Sequence, residues 1–411
     1  MTSSSLVIAL VWAALLGPDH QQRLSFDESI GASGSSPIVT GLEAAAEHKR
    51  NDDRGIPLQT QNLQVTVMPG ARVNAGADDG FELQTTITQG WSLERYGKVR
   101  RAAAAAETEV LAADARAQAL ERQFGAADTW IRLHAAERRL TMARSDLALA
   151  EELVATLELA REAGVGTRVD VAEARAIAAQ TEGTVVVLAG EVHDRGLALA
   201  RETGAVVTAP LGTRGEYPNP VLPDEAELRR RFAAVDQLPA IQLRRVRARA
   251  ALALAHEAQR ARGAVLNTGA SVQVESTNEL LLFGVVGASI PVAERGQRER
   301  ASARAEARRS EAEAEQLVVE LAAVLGTALH ELRHTRERVE LLRERSLPAL
   351  DELIAARAAA LELGEGTRAR LLEAQHQRNL VARELTLAEA DWVFARVTVW
   401  LYLEALAAEP G

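Results

Sequence analysis

The sequence contains no cysteine. Disulfides, thiolate metal ligands, a cysteine nucleophile and a lipidated N-terminal cysteine are therefore all excluded. Aromatic residues make up 3% of the chain and methionine occurs only 3 times. That argues against a compact aromatic core and against a thioether-lined soft-metal site. Long apolar runs are missing too, so no segment reads as a membrane-spanning helix, which needs about 18 or more such residues. Positive charge is in deficit: 47 Lys and Arg stand against 57 Asp and Glu, a net charge of −10. A nucleic-acid partner has no electrostatic support from that balance. A Gly-rich phosphate loop and a G-x-S-x-G elbow are also absent, so the chain reads as a non-enzyme without a cofactor.

What is present is a short motif that occurs twice. Gly164-Val165-Gly166-Thr167-Arg168 returns as Gly364-Glu365-Gly366-Thr367-Arg368, each copy lying between long stretches rich in Ala, Leu, Glu and Arg. Gly164 and Gly364 read as residues just past a helix end, where left-handed backbone costs glycine little. Thr167 and Thr367 read as caps of the next helix, their hydroxyls accepting from its first free N–H groups. Asp170, three residues after Thr167, completes a near match to a capping box. Each copy is expected to be the tip of a helical hairpin.

Taken in order, the chain begins with an apolar run, Leu6 to Leu16, of signal-peptide length and without Lys or Arg before it. Ser25 to Ser36 is Ser/Gly-rich and reads as a loop, and Pro37 to about Arg54 as a short helix. The period then changes. Leu63, Val65 and Val67 alternate, and Phe81, Leu83, Thr85, Ile87, Gln89, Trp91 and Leu93 continue the alternation after a turn at Gly76–Gly80. That pattern predicts two strands of about the ~9–11 residues that cross a membrane in a tilted barrel. From about Gly97 to Ala163 the sequence is helical without proline, a rod of roughly 100 Å that needs partners along its length.

The plan then repeats at an offset near 200: Glu225 to Arg262 reads as helix, Ala270–Val274 and Leu280–Val292 as strands, Arg295–Leu363 as a long helix with a break at Pro348, and Thr367–Ala407 as its return. The division is thus 1–36 (signal peptide and N-terminal loop), 37–205 (first repeat, β-hairpin about 58–93, helical hairpin about 97–200), 206–224 (crossover) and 225–407 (second repeat, β-hairpin about 264–292, helical hairpin about 296–407). Pro37 matches Pro239, Glu94-Arg95 matches Glu294-Arg295, and Gly97 matches Gly296 with a one-residue slip. Four membrane-length strands cannot close a barrel, so several chains must pool them; three would supply about twelve, within the usual range. Leu280–Val292 carries a lipid-facing row well, whereas Gln59–Asn74 does so poorly.

The two tips, Gly-x-x-Thr-x-x-Asp-Val-x-x-Ala at Gly164 to Ala174 and Gly-x-x-Thr-x-x-Arg-Leu-x-x-Ala at Gly364 to Ala374, make the sequence resemble the TolC-like outer-membrane efflux family, its metal-efflux members above all. The resemblance covers roughly residues 37 to 405. It implies a mainly α fold with a membrane β-barrel: a duplicated helix–β-hairpin–long-helix-hairpin unit whose homotrimer forms a 12-stranded β-barrel plus a periplasmic α-helical barrel. It implies passive export through the outer membrane of a Gram-negative bacterium, with a periplasmic adaptor protein, an inner-membrane pump and outer-membrane lipid as partners. By position it implies that Asp170, Glu173 and Glu373 face the lumen as an acidic throat, with Arg370 departing from the acidic pattern and able to lock it by ion pairs. Read on its own, each of these carboxylates is equally an ordinary solvated residue at a helix start. Gly164, Gly166, Thr167, Arg168, Gly364, Gly366, Thr367 and Arg368 are the expected adaptor contacts.

Two other classes compete. A soluble coiled-coil scaffold would place the alternating segments in an ordinary small β-domain. His330-Glu331-Leu332-Arg333-His334 matches H-E-x-x-H, which on a helix can put two imidazoles on one Zn²⁺, with Glu352 as an imaginable third ligand. Against it, Leu321, Leu325, Ala328, Leu332, Val339 and Leu342 trace a 3.5-residue seam that leaves both His on a charged face. An offset of 200 also sets Trp130 opposite His330 and His134 opposite His334, so the first copy lacks the pair. His20, His48, His193, His256 and His376 read as surface residues, and the Arg/Glu runs as solvated helix faces.

Overall fold

The computed structural model describes residues 22–56, 63–72, 80–92, 96–206, 209–261, 263–274, 279–290 and 296–408. The expected signal segment, His20, the turn after Gly76 and the Glu94-Arg95 and Glu294-Arg295 junctions lie outside the described residues. Contacts divide the chain into two compact units. One comprises Met1–Val39, Gln118–Leu238 and Glu320–Gly411; the other comprises Thr40–Ala117 and Pro239–Val319. Each unit draws on both sequence repeats, so the repeat is a unit of sequence and not of packing.

The first unit opens with a two-residue strand, β1 (Arg23–Leu24), and a helix, α1 (Phe26–Gly34). The loop expected over Ser25–Ser36 is corrected here. Ser25 accepts from the Glu28 backbone N–H, and the Glu28 carboxylate accepts from the Ser25 N–H, a complete capping box. Phe26 and Ile30, one turn apart, are buried beside Trp130, and Phe26 meets that ring edge-on at 5.6 Å. In the crossover, β4 (Gly212–Thr213) pairs in parallel with β1. The Trp130 indole N–H donates to the Leu24 carbonyl at 2.8 Å, so this large side chain has its polar edge satisfied as well as its rings buried.

The long helices follow the expected spans. α3 (Tyr96–Glu162) is continuous, and α4 (Arg168–Thr203) returns from the first tip. The helix expected over Glu225–Arg262 is interrupted: α5 (Glu225–Phe232) gives way to a 3₁₀ turn at Val235–Gln237, and α6 (Pro239–Ala261) begins on Pro239, whose missing N–H suits a first helical position. α7 (Gln297–Leu341) passes into one turn of π-helix, Leu342–Ser346, then α8 (Leu347–Glu362), and α9 (Arg368–Ala407) returns from the second tip. Pro348 thus widens the helix without breaking it, since the bulge accommodates a ring that would clash with the preceding turn. At an offset of 199, four buried residues of α7 and the first of the π-turn fall on buried residues of α3: Thr108 with Ala307, Ala115 with Ala314, Ala126 with Leu325, Leu140 with Val339 and Ala143 with Leu342; Ser310 and Ala328 fall on the half-buried Leu111 and Thr129. His330 and His334 therefore match Ile131 and Ala135, not Trp130 and His134 as an offset of 200 suggested.

The second unit holds α2 (Pro37–Arg54), α6, the start of α3 and of α7, and a four-stranded antiparallel sheet. Its strands are β2 (Gln64–Arg72), β3 (Gly80–Ser92), β5 (Val265–Val274) and β6 (Leu280–Ser289), in the order β2-β3-β5-β6. The pairings Val65↔Ile87↔Ala270↔Gly284 and Val67↔Thr85↔Val272↔Leu282 place one residue of each strand on a common face. That face carries Val65, Val67, Leu83, Ile87, Trp91, Leu266, Val272, Val274, Leu280, Leu282 and Val286 and, among the described side chains, no charge. β2, the strand that read weakest, contributes Val65 and Val67 to the row at 60% and 56% exposure. The opposite face is polar on three strands, where Thr86, Gln84 and Ser271 are joined by hydrogen bonds of 2.8 and 2.9 Å. Helix packing in this unit centres on Ala113, Leu243 and Val246, with Tyr96 donating to Glu257 at 3.1 Å.

Candidate conduit tips and their anchorage

The two tips have the same backbone. Gly164 and Gly364 take φ of 77° and 74°. At the first tip the N–H groups of Val165 and Gly166 both donate to the Ala160 carbonyl at 3.0 Å; at the second, those of Glu365 and Gly366 donate to Ala360 at 2.9 and 3.0 Å. The second glycine is required for a different reason. A Cβ on Gly166 would stand 2.9 Å from the Arg161 nitrogen, and one on Gly366 3.0 Å from the Leu361 nitrogen, because the chain folds back onto its own helix end.

The caps differ. Thr167 accepts from the Asp170 N–H at 3.1 Å while Asp170 accepts from the Thr167 N–H at 2.9 Å. The backbone and hydroxyl donors of Thr167 hold the exposed Asp170 carboxyl below its ordinary value. Thr367 accepts from the Arg370 N–H at 3.4 Å, and a guanidinium has no acceptor with which to return the bond. Arg370, Glu173 and Glu373 are exposed, and among the described residues none makes an ion pair within the chain. Arg368 is committed: its Nε and Nη2 donate to Glu152 of α3 at 3.1 and 2.5 Å. Arg168, Thr167 and Thr367 are exposed at the ends of the hairpins.

Behind the tips, Ala174 and Leu372 meet Leu153 of α3 in a buried cluster, so the second turns of α4 and α9 pack on the same stretch of α3. Their neighbours Glu173 and Glu373 point outward. Arg175 donates to Glu158 at 2.5 Å, and Arg378 to Asp351 at 2.5 Å, the ion pairs nearest the tip in each hairpin.

Further along α3 lies a group that single-residue reading missed. Asp146 has no solvent exposure. It accepts from His376 Nδ1 at 2.8 Å, Asn379 at 3.4 Å and the Arg383 guanidinium at 3.1 Å. His376, read as a surface residue, is thus a half-buried partner of a carboxylate. The signal was available in part: 376, 379 and 383 share one helix face. A second polar group fastens the crossover. Thr213 donates to Glu137 at 2.5 Å, so its oxygen must accept from His134 Nδ1, 2.9 Å away. His134 stacks on Trp130 at 5.1 Å. Burial, aided by the Arg138 charge, pushes its pKa down to about 4.

This arrangement, two glycine-tipped helical hairpins with paired β-hairpins, is the fold of outer-membrane channel proteins. The chain is similar to CusC, whose structures concern transmembrane channel formation, at 14% identity over 95% of this chain and 99% of that one, with a TM-score of 0.73. It is similar to the outer membrane protein VceC of Vibrio cholerae at 16% identity over 93% and 96% of the two chains, TM-score 0.69. The corresponding values for the Campylobacter jejuni CmeC outer membrane channel are 11%, 92% and 85%, and 0.72. No family model and no curated protein matches the sequence.

Proposed function

We propose that the chain is a passive exit duct of the outer membrane, the last component of a tripartite efflux or type I secretion system. It exports small molecules or metal ions and catalyses nothing. One observation carries the reading. The four-stranded sheet has an uncharged, largely apolar face, broken among the described side chains by Thr85, Gln89 and Thr268, and its outer strands β2 and β6 each pair on one side only. Leu282 and Val286 on that face are 73% and 78% exposed. A small soluble β-domain would bury such a face, whereas lipid would cover it and copies of the chain would pair the edges. Three chains pooling their strands make a barrel of about twelve, within the usual range. The likeness in fold to CusC, VceC and CmeC supports the same reading, because CusC is described in terms of transmembrane channel formation, CmeC as an outer membrane channel and VceC as an outer membrane protein.

In that assembly the tips Gly164–Arg168 and Gly364–Arg368 meet a periplasmic adaptor protein, beyond which stands an inner-membrane pump, of RND type on the resemblance. Glu173, Glu373 and Asp170 line the narrow end, and Arg370, which makes no ion pair among the described residues, reaches a carboxylate of the neighbouring copy. The test is location and mass. Membranes are fractionated, the full-length protein is extracted in mild detergent, and its detergent-corrected mass is measured by multi-angle light scattering. A species near three times the 44.1 kDa chain in the outer-membrane fraction is the expected result. A monomer or dimer in the soluble fraction would overturn it.

A further inference from the structure

We propose that His330 and His334 form a labile binding site for a borderline divalent transition-metal ion, Cu²⁺, Zn²⁺ or Ni²⁺, on the exposed side of α7. The two residues are one turn apart, both are exposed, and their rings lie parallel within 2° at a centroid separation of 6.1 Å. Imidazoles at this spacing on a helix chelate such ions through a small rotation of each ring. Hard cations such as Ca²⁺ and Mg²⁺ would find no oxygen cage there.

Three features separate this pair from incidental surface histidines. First, packing does not use it. The apolar seam runs through the buried Leu325, Ala328 and Val339, and the positions that match the pair in α3 are the buried Ile131 and Ala135, so exposed imidazoles here have no counterpart in the first copy. Second, neither ring has a hydrogen-bond partner among the described residues. The cations nearby are already paired: Arg333 with Glu225 at 2.6 Å, Arg338 with Glu384 at 3.1 Å, and Arg132 with Asp128 at 2.5 Å. Their charge is largely offset where the metal would sit, and Glu331 adds a carboxylate that makes no ion pair within the described residues. Third, there is room on both sides. His330 borders a cavity of about 430 Å³ and His334, with Glu331, one of about 820 Å³.

No third His, Cys, Asp or Glu joins the pair among the described residues. Two protein ligands leave the remaining coordination positions to water, so the ion exchanges readily. The site is a docking point for metal and lacks the closed ligand set of a structural centre or the third ligand of a zinc hydrolase. The proposal does not depend on the conduit reading.

The experiment is titration of the full-length protein in detergent with Cu²⁺, followed by calorimetry and by electron paramagnetic resonance. Wild type is compared with His330→Gln, His334→Gln and, as a control on α2, His48→Gln. The expected result is one site per chain with two nitrogen ligands. Either α7 variant should weaken it roughly tenfold or more, as losses of metal-site groups do, and reduce the nitrogen count to one. His48→Gln should leave it unchanged. Because both imidazoles are exposed, metal-free thermal unfolding of the α7 variants should superimpose on wild type. Isotherms and spectra of the α7 variants that match wild type would overturn the proposal.

Discussion

Asp146 carries its charge where no solvent reaches, and three donors from α9 surround it. Removing such a carboxylate leaves Arg383, itself only 9% exposed, charged and without its partner. Breaking a buried pair in this way costs about 3–5 kcal/mol, so Asp146→Ala should lower the unfolding temperature in detergent far more than Asp170→Ala, which removes a solvent-exposed cap. His134 makes an opposite, pH-dependent contribution. Its folded pKa of about 4 lies below its ordinary 6.5, so the unfolded chain binds the proton more readily. The stability of the neutral form is complete above pH 6.5 and is lost as pH falls towards 4. Thermal unfolding followed from pH 7 to pH 4 should therefore steepen in wild type and flatten in His134→Gln. The helix-face spacing of His376, Asn379 and Arg383 was legible in the sequence. Their partner was not, because Asp146 stands 230 residues away from His376 and no local pattern joins them.

At the scale of elements, periodicity identified the long helices and the strands, and glycine and threonine placed both tips. What it missed has physical causes. α1 is built from Ser25, Glu28, Phe26 and Ile30, a capping box and one apolar pair, and its Ser and Gly content masked both. Ser29 and Ser33 are buried in it, small residues that allow close packing. The break between α5 and α6 was marked only by Pro239. The β1–β4 pair is two residues long on each side, too short for any alternation to register. In β2 the apolar row rests on Val65 and Val67, and only the register against Ile87 and Thr85 shows that it continues the face. If that face meets lipid, Leu282→Arg should cost about 2–4 kcal/mol at mid-depth. A reduced yield of membrane-inserted protein, with Gln273→Arg on the opposite face better tolerated, is the expected outcome.

For the whole molecule, the candidate throat would be a property of the proposed trimer more than of the single chain. Asp170 is held by its own cap, Arg368 by Glu152, and each hairpin by its own ion pairs. Glu173, Glu373 and Arg370 are left over, exposed within one chain, and threefold symmetry would turn each into a ring. Arg370→Ala should then raise the single-channel current in a planar bilayer and increase cation selectivity, by removing positive charge from an acidic constriction. Unchanged current and selectivity would remove Arg370 from the gate. The sequence brought these residues to notice through motif position alone; it carried no record of which would be claimed by neighbours in the same chain.

The π-turn at Leu342–Ser346 has a consequence for how the two long helices line up. Sixty-seven residues separate Gly97 from Gly164, and sixty-eight separate Gly296 from Gly364. A regular helix with one extra residue would rotate everything beyond it by about 100°, turning the second tip out of phase with the first. A π-turn absorbs one residue without that rotation. The buried seam before it keeps one numerical offset and the tip after it another, while both stay in step with their counterparts. The bulge thus takes up the one-residue difference between the two long helices locally and leaves the far end of the second facing the same way as the first.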